Sequence, residues 1–167
     1  MDVIELFECS DYEYKLFWKK YLLDYSMNAK MKPYFAQLSK YLKQNNYNVF
    51  IITSRVFTTE DSNLGTLMRK VLELWLKKNH FEYDKIIYCK EEKVDDKNPK
   101  FKAIIDNNIS IMCEDNANNI KDLSDSCQII KINEPYNEKS NNKYNASSAY
   151  EVLNMIEKIH ADRKKES

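Results

Sequence analysis

The sequence predicts an α/β fold: a Rossmann-like, three-layer parallel sheet with helices on its faces. Two observations carry this. From residue 33 onward, helix-like and strand-like stretches alternate, and alternation of this kind builds a parallel sheet through crossover helices. The strand candidates, "NVFIIT", "KIIYC", "ISIMC" and "QIIKI", are short apolar runs bounded by polar segments. At 167 residues, of which 43% are hydrophobic and 13% aromatic, the chain can bury one real core.

The elements follow in order. Residues 11–25 carry Tyr14, Phe17, Trp18, Tyr21, Leu22 and Tyr25 at helical spacing, with Ser10 and Glu13 as a capping box. Residues 33–44 form a second helix; Pro33 suits its first turn, and Tyr34, Leu38 and Tyr41 mark one face. A strand at 48–53 leads to a long helix whose buried face holds Leu64, Leu67, Met68, Val71, Leu72 and Trp75. A strand at 85–89, a helix at 100–107, a strand at 109–113, a short helix at 117–123 and a strand at 128–132 follow. The polar stretch 133–146 is a loop, and Ser148 and Glu151 cap a last helix with Ala149, Val152, Leu153, Ile156 and Ile159 inward.

Composition removes several function classes. Lys+Arg and Asp+Glu are equal, at 26 each, so no basic field argues for nucleic acid. The longest apolar runs are too short to span a bilayer. The N-terminus, "MDVIELFECSDYEYK", lacks the basic start and long apolar run of a signal peptide, so a cytoplasmic location is expected. Cys9, Cys89, Cys113 and Cys127 form no CxxC and no Cys/His pair, which argues against zinc. With Gly65 the only glycine, neither a P-loop nor a dinucleotide fingerprint can be built. Any phosphate site must use side chains and strand-end amides.

In parallel α/β sheets, ligands sit beyond the C-terminal ends of the strands. Thr53, Ser54 and Arg55 end one strand; Glu114 and Asp115 end another. Adjacent carboxylates repel unless something positive lies near, and Mg²⁺ with its preference for oxygen ligands is the usual solution. A helix N-cap at Asp115 or Asn116 explains the same residues without a metal. Between the two strand ends, "CKEEKVDDKNPKFKAI" offers Lys93, Lys97, Lys100 and Lys102. A solvated charged loop accounts for most of them.

The order is hydroxyl, then lysine, then paired acids. It resembles the haloacid-dehalogenase-like (HAD) phosphohydrolase superfamily, and more narrowly bacterial proteins related to 5'(3')-deoxyribonucleotidases. "FWKKYLLDY" resembles a helical cap segment, "VFIITSR" the second motif, "CEDNANNI" the fourth, and "IKINEPYN" the strand and turn that follow. The resemblance implies a HAD-type fold with a helical cap remnant at 1–32, an α/β core at 33–160 and a charged tail at 161–167. It also implies that Thr53, with Ser54 and Arg55 beside it, binds a phosphoryl oxygen. Lys100, or its neighbours Lys97 and Lys102, would steady the phosphate, and Glu114 and Asp115 would hold Mg²⁺. The implied ligand is a phosphorylated small molecule of nucleotide type.

One departure dominates. The superfamily's first motif is a central strand ending in Asp-x-Asp, whose first Asp is the nucleophile. No Asp-x-Asp occurs in residues 1–167. Asp11, after the apolar "VIELF", is a poor substitute, because Ser10 to Glu13 is explained by the capping box. The expectation is therefore a nucleotidase-like domain that is inactive as given and lacks its central first strand. Its unpaired strands would favour self-association. A non-catalytic ligand- or protein-binding module, or a gene fragment, is the alternative.

Overall fold

The computed structural model describes residues 10–90 and 98–166. Six α-helices and five strands are described: α1 (Asp11–Asn28), α2 (Phe35–Gln44), β1 (Phe50–Thr53), α3 (Asn63–Lys78), β2 (Lys85–Tyr88), α4 (Pro99–Asp106), β3 (Ile111–Glu114), α5 (Ala117–Leu123), β4 (Gln128–Ile132), β5 (Tyr144–Ala146) and α6 (Ala149–Glu166). The sequence readings on "VIELF", Cys9, Lys93 and Lys97 lie outside the described residues.

All described strand pairs are parallel. β1 pairs with β2, Phe50 opposite Lys85 and Thr53 opposite Tyr88. β3 pairs with β4, Ile111 opposite Gln128 and Glu114 opposite Lys131. β4 pairs with β5, Ile130 opposite Tyr144. Among the described residues these make two sheets, β1-β2 and β3-β4-β5, with no ladder joining β1 to β3.

Burial follows from the alternation of side chains along β4. Ile130 and Ile132 face a cluster with Tyr144, Val152, Ile156 and Ile159, covered by Phe35, Leu38 and Leu42 of α2. Ile129 faces the other way, toward Ile104, Met112, Ile120 and Leu123, with Ile52 of β1 packed against them. Helices α2 and α6 thus cover one face of this sheet and α4 and α5 the other. Each fully buried Ile or Leu contributes about 1.5–3 kcal/mol, so β4 is the axis of the core.

Several boundaries differ from the sequence reading. The capping box at Ser10 is present: Glu13 N donates to Ser10 Oγ (3.3 Å) and Ser10 N to Glu13 Oε2 (2.9 Å). The helix after it runs on to Asn28; the side chains of Tyr14 and Trp18 lie outside the description, and among the described side chains Leu22 and Ser26 are buried while Phe17, Tyr21 and Tyr25 are exposed. The cause is that α1 packs chiefly on α3, where Trp75 Nε1 donates to Ala29 O (2.6 Å). On α2, Pro33 precedes the helix, Tyr34 caps it at φ 64°, and Phe35, Leu38 and Leu42 replace Tyr34 and Tyr41 on the inward face. On α3, Met68, Val71, Leu72 and Leu76 are buried, whereas Leu64 and Leu67 are exposed.

The expected loop 133–146 contains a 3₁₀ turn, Pro135–Asn137, and strand β5. Only Tyr144 and Ala146 of β5 face inward, too little apolar signal for a strand to be read from sequence. Asn142 aligns the strand by donating Nδ2 to Ile129 O (2.7 Å) and Tyr144 O (2.6 Å). Residues 161–166 are the last part of α6; Asp162 accepts the Tyr144 hydroxyl (2.9 Å) and Arg163 reaches Ser110 O (3.1 Å). Cys89 and Cys127 are buried as small hydrophobes, and burial pushes the Cys127 thiol up to about 11; Cys113 is exposed. No helix among the described residues is long and apolar enough to cross a membrane.

Candidate functional site

Thr53 is the last residue of β1 and Glu114 the last of β3. Both strand ends open on one cavity of about 410 Å³, lined by Thr53, Ser54, Arg55, Pro99, Lys100, Glu114, Asp115, Asn116 and Asn119. The structure thus brings together six of the side chains singled out from sequence: Thr53, Ser54, Arg55, Lys100, Glu114 and Asp115. A somewhat larger cavity, about 500 Å³, lies among Lys70, Glu73, Leu74, Lys77, Phe81 and Tyr83. It includes no strand end, and the smaller cavity is the one with converging hydroxyls, amides and charges.

Two asparagines cap the helices that border the site. Asn98 caps α4, its Oδ1 accepting from Lys100 N (3.0 Å), while its Nδ2 donates to Asn119 Oδ1 (2.7 Å) on α5. Asn116 caps α5, its Oδ1 accepting from Asn118 N (2.9 Å) and Asn119 N (3.2 Å). The cap in "CEDNANNI" is therefore Asn116, which frees Asp115 from that duty.

Lys100 sits in the first turn of α4, and its Nζ donates to Glu114 Oε2 at 2.5 Å. Glu114 is only 5% exposed. Its Oε1 accepts from Asp115 N (3.2 Å) and Asn116 N (3.0 Å). Both oxygens are thus occupied, and the carboxylate fixes the strand-to-helix turn. Of the other lysine candidates, Lys102 pairs with Asp106 on the exposed side of α4, away from the cavity.

Asp115 is placed differently. Its Oδ2 accepts from the Tyr136 hydroxyl at 2.5 Å, and its carbonyl accepts from Asn137 Nδ2 at 2.7 Å. The Tyr136 phenol is pushed well up, by burial first, then by its bond to Asp115 and the charges of Asp115, Glu134 and Glu114. Tyr136, Asn98, Asn119 and Asn137 were not singled out as site residues. Asparagines in turns give no sequence signal that separates a cap from a site residue, and Tyr136 lies 21 positions from its partner.

The loop after Thr53 is braced from below. Arg55 O accepts from Thr58 N (3.2 Å) and Thr58 Oγ1 (2.6 Å), and Arg69 Nη1 donates to Thr58 O (2.8 Å) and Glu60 O (3.1 Å). Gly65 lets α3 approach this loop: a Cβ there would lie 2.3 Å from Glu60 O and 2.9 Å from Phe57 O. Burial lowers the Arg55 pKa, with the nearby Tyr25 phenol opposing the shift.

Among the described residues, the side chains as placed do not by themselves form a magnesium site. Among the described residues no group of three or more His, Cys, Asp or Glu side chains gathers. Glu114 is already satisfied by Lys100 and two amides, and Mg²⁺ requires near-octahedral oxygen coordination. Asp115 is the one carboxylate of the pair whose Oδ1 has no donor among the described hydrogen bonds.

Compared with models of protein families, with curated proteins and with solved structures, the chain matches none.

Proposed function

We propose that the cavity is a phosphoryl-binding site of HAD-like, nucleotidase type, and that the chain as given binds a phosphorylated small molecule without turning it over. The observation that carries this reading is the convergence of Thr53, Ser54, Arg55 and Lys100 on one cavity at the C-terminal ends of two parallel strands. Hydroxyls and cations at such a rim suit a phosphate ester, since phosphoryl recognition rests on positioning and charge neutralisation. Lys100 would neutralise through the same ammonium that holds Glu114, and Arg55 supplies a second cation. Hydrolysis through an aspartyl phosphate requires a carboxylate nucleophile in line with phosphorus. Glu114 is engaged on both oxygens and no Asp-x-Asp occurs in the chain.

The test is an assay with a generic phosphate monoester and excess Mg²⁺. The expected result is no turnover above background, because loss of a nucleophile removes the first covalent step. Turnover that vanishes in Asp11→Asn would overturn the reading and make Asp11 the nucleophile.

A further inference from the structure

The cavity at the strand ends is lined by four charged side chains: Arg55, Lys100, Glu114 and Asp115. Two of them neutralise each other. Lys100 Nζ donates to Glu114 Oε2 (2.5 Å), and Glu114 Oε1 accepts from the Asp115 and Asn116 amides. Arg55 and Asp115 are left, one cation and one anion, both half-buried. Among the described residues no ion pair joins them. Asp115 is also held in one orientation. Its Oδ2 accepts from the Tyr136 hydroxyl (2.5 Å) and its carbonyl from Asn137 Nδ2 (2.7 Å). Asn137 is itself buried and tied to Ile132 O (2.8 Å). Asp115 Oδ1 accepts from no donor among the described residues. The rim therefore offers a ligand two things at once, a cation with hydroxyls beside it and a fixed carboxylate oxygen.

We propose that Asp115 is a specificity residue and that the ligand is a hydroxyl-bearing phosphate ester: its phosphoryl group meets Arg55 and the Thr53 and Ser54 hydroxyls, and a hydroxyl on its carbon skeleton donates to Asp115 Oδ1. The inference rests on the proposed phosphoryl site and names the rest of the molecule that fills it. A carboxylate repels phosphoryl oxygens, so Asp115 weakens the rim for a bare alkyl phosphate. A neutral O–H donor turns the same group into an attraction, and hydrogen bonds to an ionised acceptor are the stronger kind. The protein already makes such a bond to Oδ2 through Tyr136. An acidic side chain that accepts from a sugar hydroxyl beside a phosphate site is a recurrent arrangement at the strand ends of parallel sheets. A site built this way rejects an analogue without the hydroxyl, because its own acceptor is then left unpaired.

The experiment titrates the full chain in metal-free buffer with glycerol 3-phosphate and with n-propyl phosphate, which has the same skeleton without hydroxyls. Binding is followed by NMR at the backbone amides. Both esters should shift Thr53 and Ser54, and glycerol 3-phosphate should bind about tenfold more tightly, the worth of one hydrogen bond to a charged group. Asp115→Ala should bring the two affinities together, by weakening the glycerol ester and not the propyl ester. A second measurement needs no substitution. In wild-type protein with ¹³C-labelled aspartate, the Asp115 carboxyl signal should move with glycerol 3-phosphate and stay in place with propyl phosphate. Equal affinities in the wild type, a preference that survives Asp115→Ala, or a carboxyl signal that moves equally with both esters would each overturn the proposal and leave the phosphoryl site standing. Failure of the phosphoryl reading looks different: neither ester shifts Thr53 and Ser54, or free glycerol shifts them as much as its phosphate, and the proposal falls with the site.

Discussion

Lys100 and Glu114 make the most consequential pair in the molecule. The lysine side chain is 11% exposed and the glutamate side chain 4%, so both charges have left most of their water. A buried pair is not a large net gain, but removing one partner strands the other. Lys100→Met should destabilise the fold by about 3–5 kcal/mol, measured as a loss in chemical unfolding. The double variant Lys100→Met/Glu114→Leu should recover much of that loss, because the stranded charge is gone. Equal instability of the single and double variants would mean that the pair contributes packing rather than charge balance. Lys100 could be singled out in the sequence by its place just after Asn98 and Pro99, at a helix start. Its attachment to Glu114 could not, because which lysine of "NPKFK" points at the rim depends on the helix phase. Lys102 shows the alternative: two residues further on, it turns outward to Asp106.

At the scale of elements, the chain was most readable where a run is apolar and short. The helix at 117–123 and the strand at 128–132 lie where periodicity and turn residues place them. The failures have one cause, tertiary contact choosing among faces that local pattern leaves equivalent. α1 offers aromatic residues around much of its circumference, and among its described side chains Leu22 and Ser26 are buried while Phe17, Tyr21 and Tyr25 are exposed. β5 offers almost no pattern and becomes a strand because β4 supplies a partner. The edges of β1 and β3 are the least settled elements. Among the described residues β1 pairs only with β2 and β3 only with β4, although their ends share a cavity. Unpaired edges invite pairing, and each buried orphan backbone group costs about 1–3 kcal/mol. On the proposed HAD-like reading a parallel strand belongs between them. Appending an N-terminal strand that ends in Asp-x-Asp should raise the melting temperature and suppress self-association seen by sedimentation. If the chain alone is a stable monomer and the addition alters neither property, no strand belongs there.

The whole molecule is a mixed α/β structure whose parallel strands deliver polar groups to one rim. Its net charge of zero gives no long-range field to attract an anion, so recognition at the rim must come from local groups. Those groups come from three places in the chain: residues 53–55, residues 99–100, and residues 114–116 with Asn119. That convergence was legible from sequence because strand ends on a parallel sheet share a side. What was not legible is how each acid is used. Glu114 became a buried strut and Asp115 a ligand of Tyr136, although the two look interchangeable in "CED". The central claim is that this rim binds a phosphoryl group. The most direct measurement is an amide NMR titration of the full chain with a deoxynucleoside monophosphate, set against the same titration with the free nucleoside. The account predicts saturable shifts at Thr53, Ser54, Lys100 and Asn116 with the monophosphate, absent with the nucleoside and lost in Thr53→Val. Shifts that cluster around Lys70 and Tyr83, or equal shifts with nucleoside and monophosphate, would contradict it.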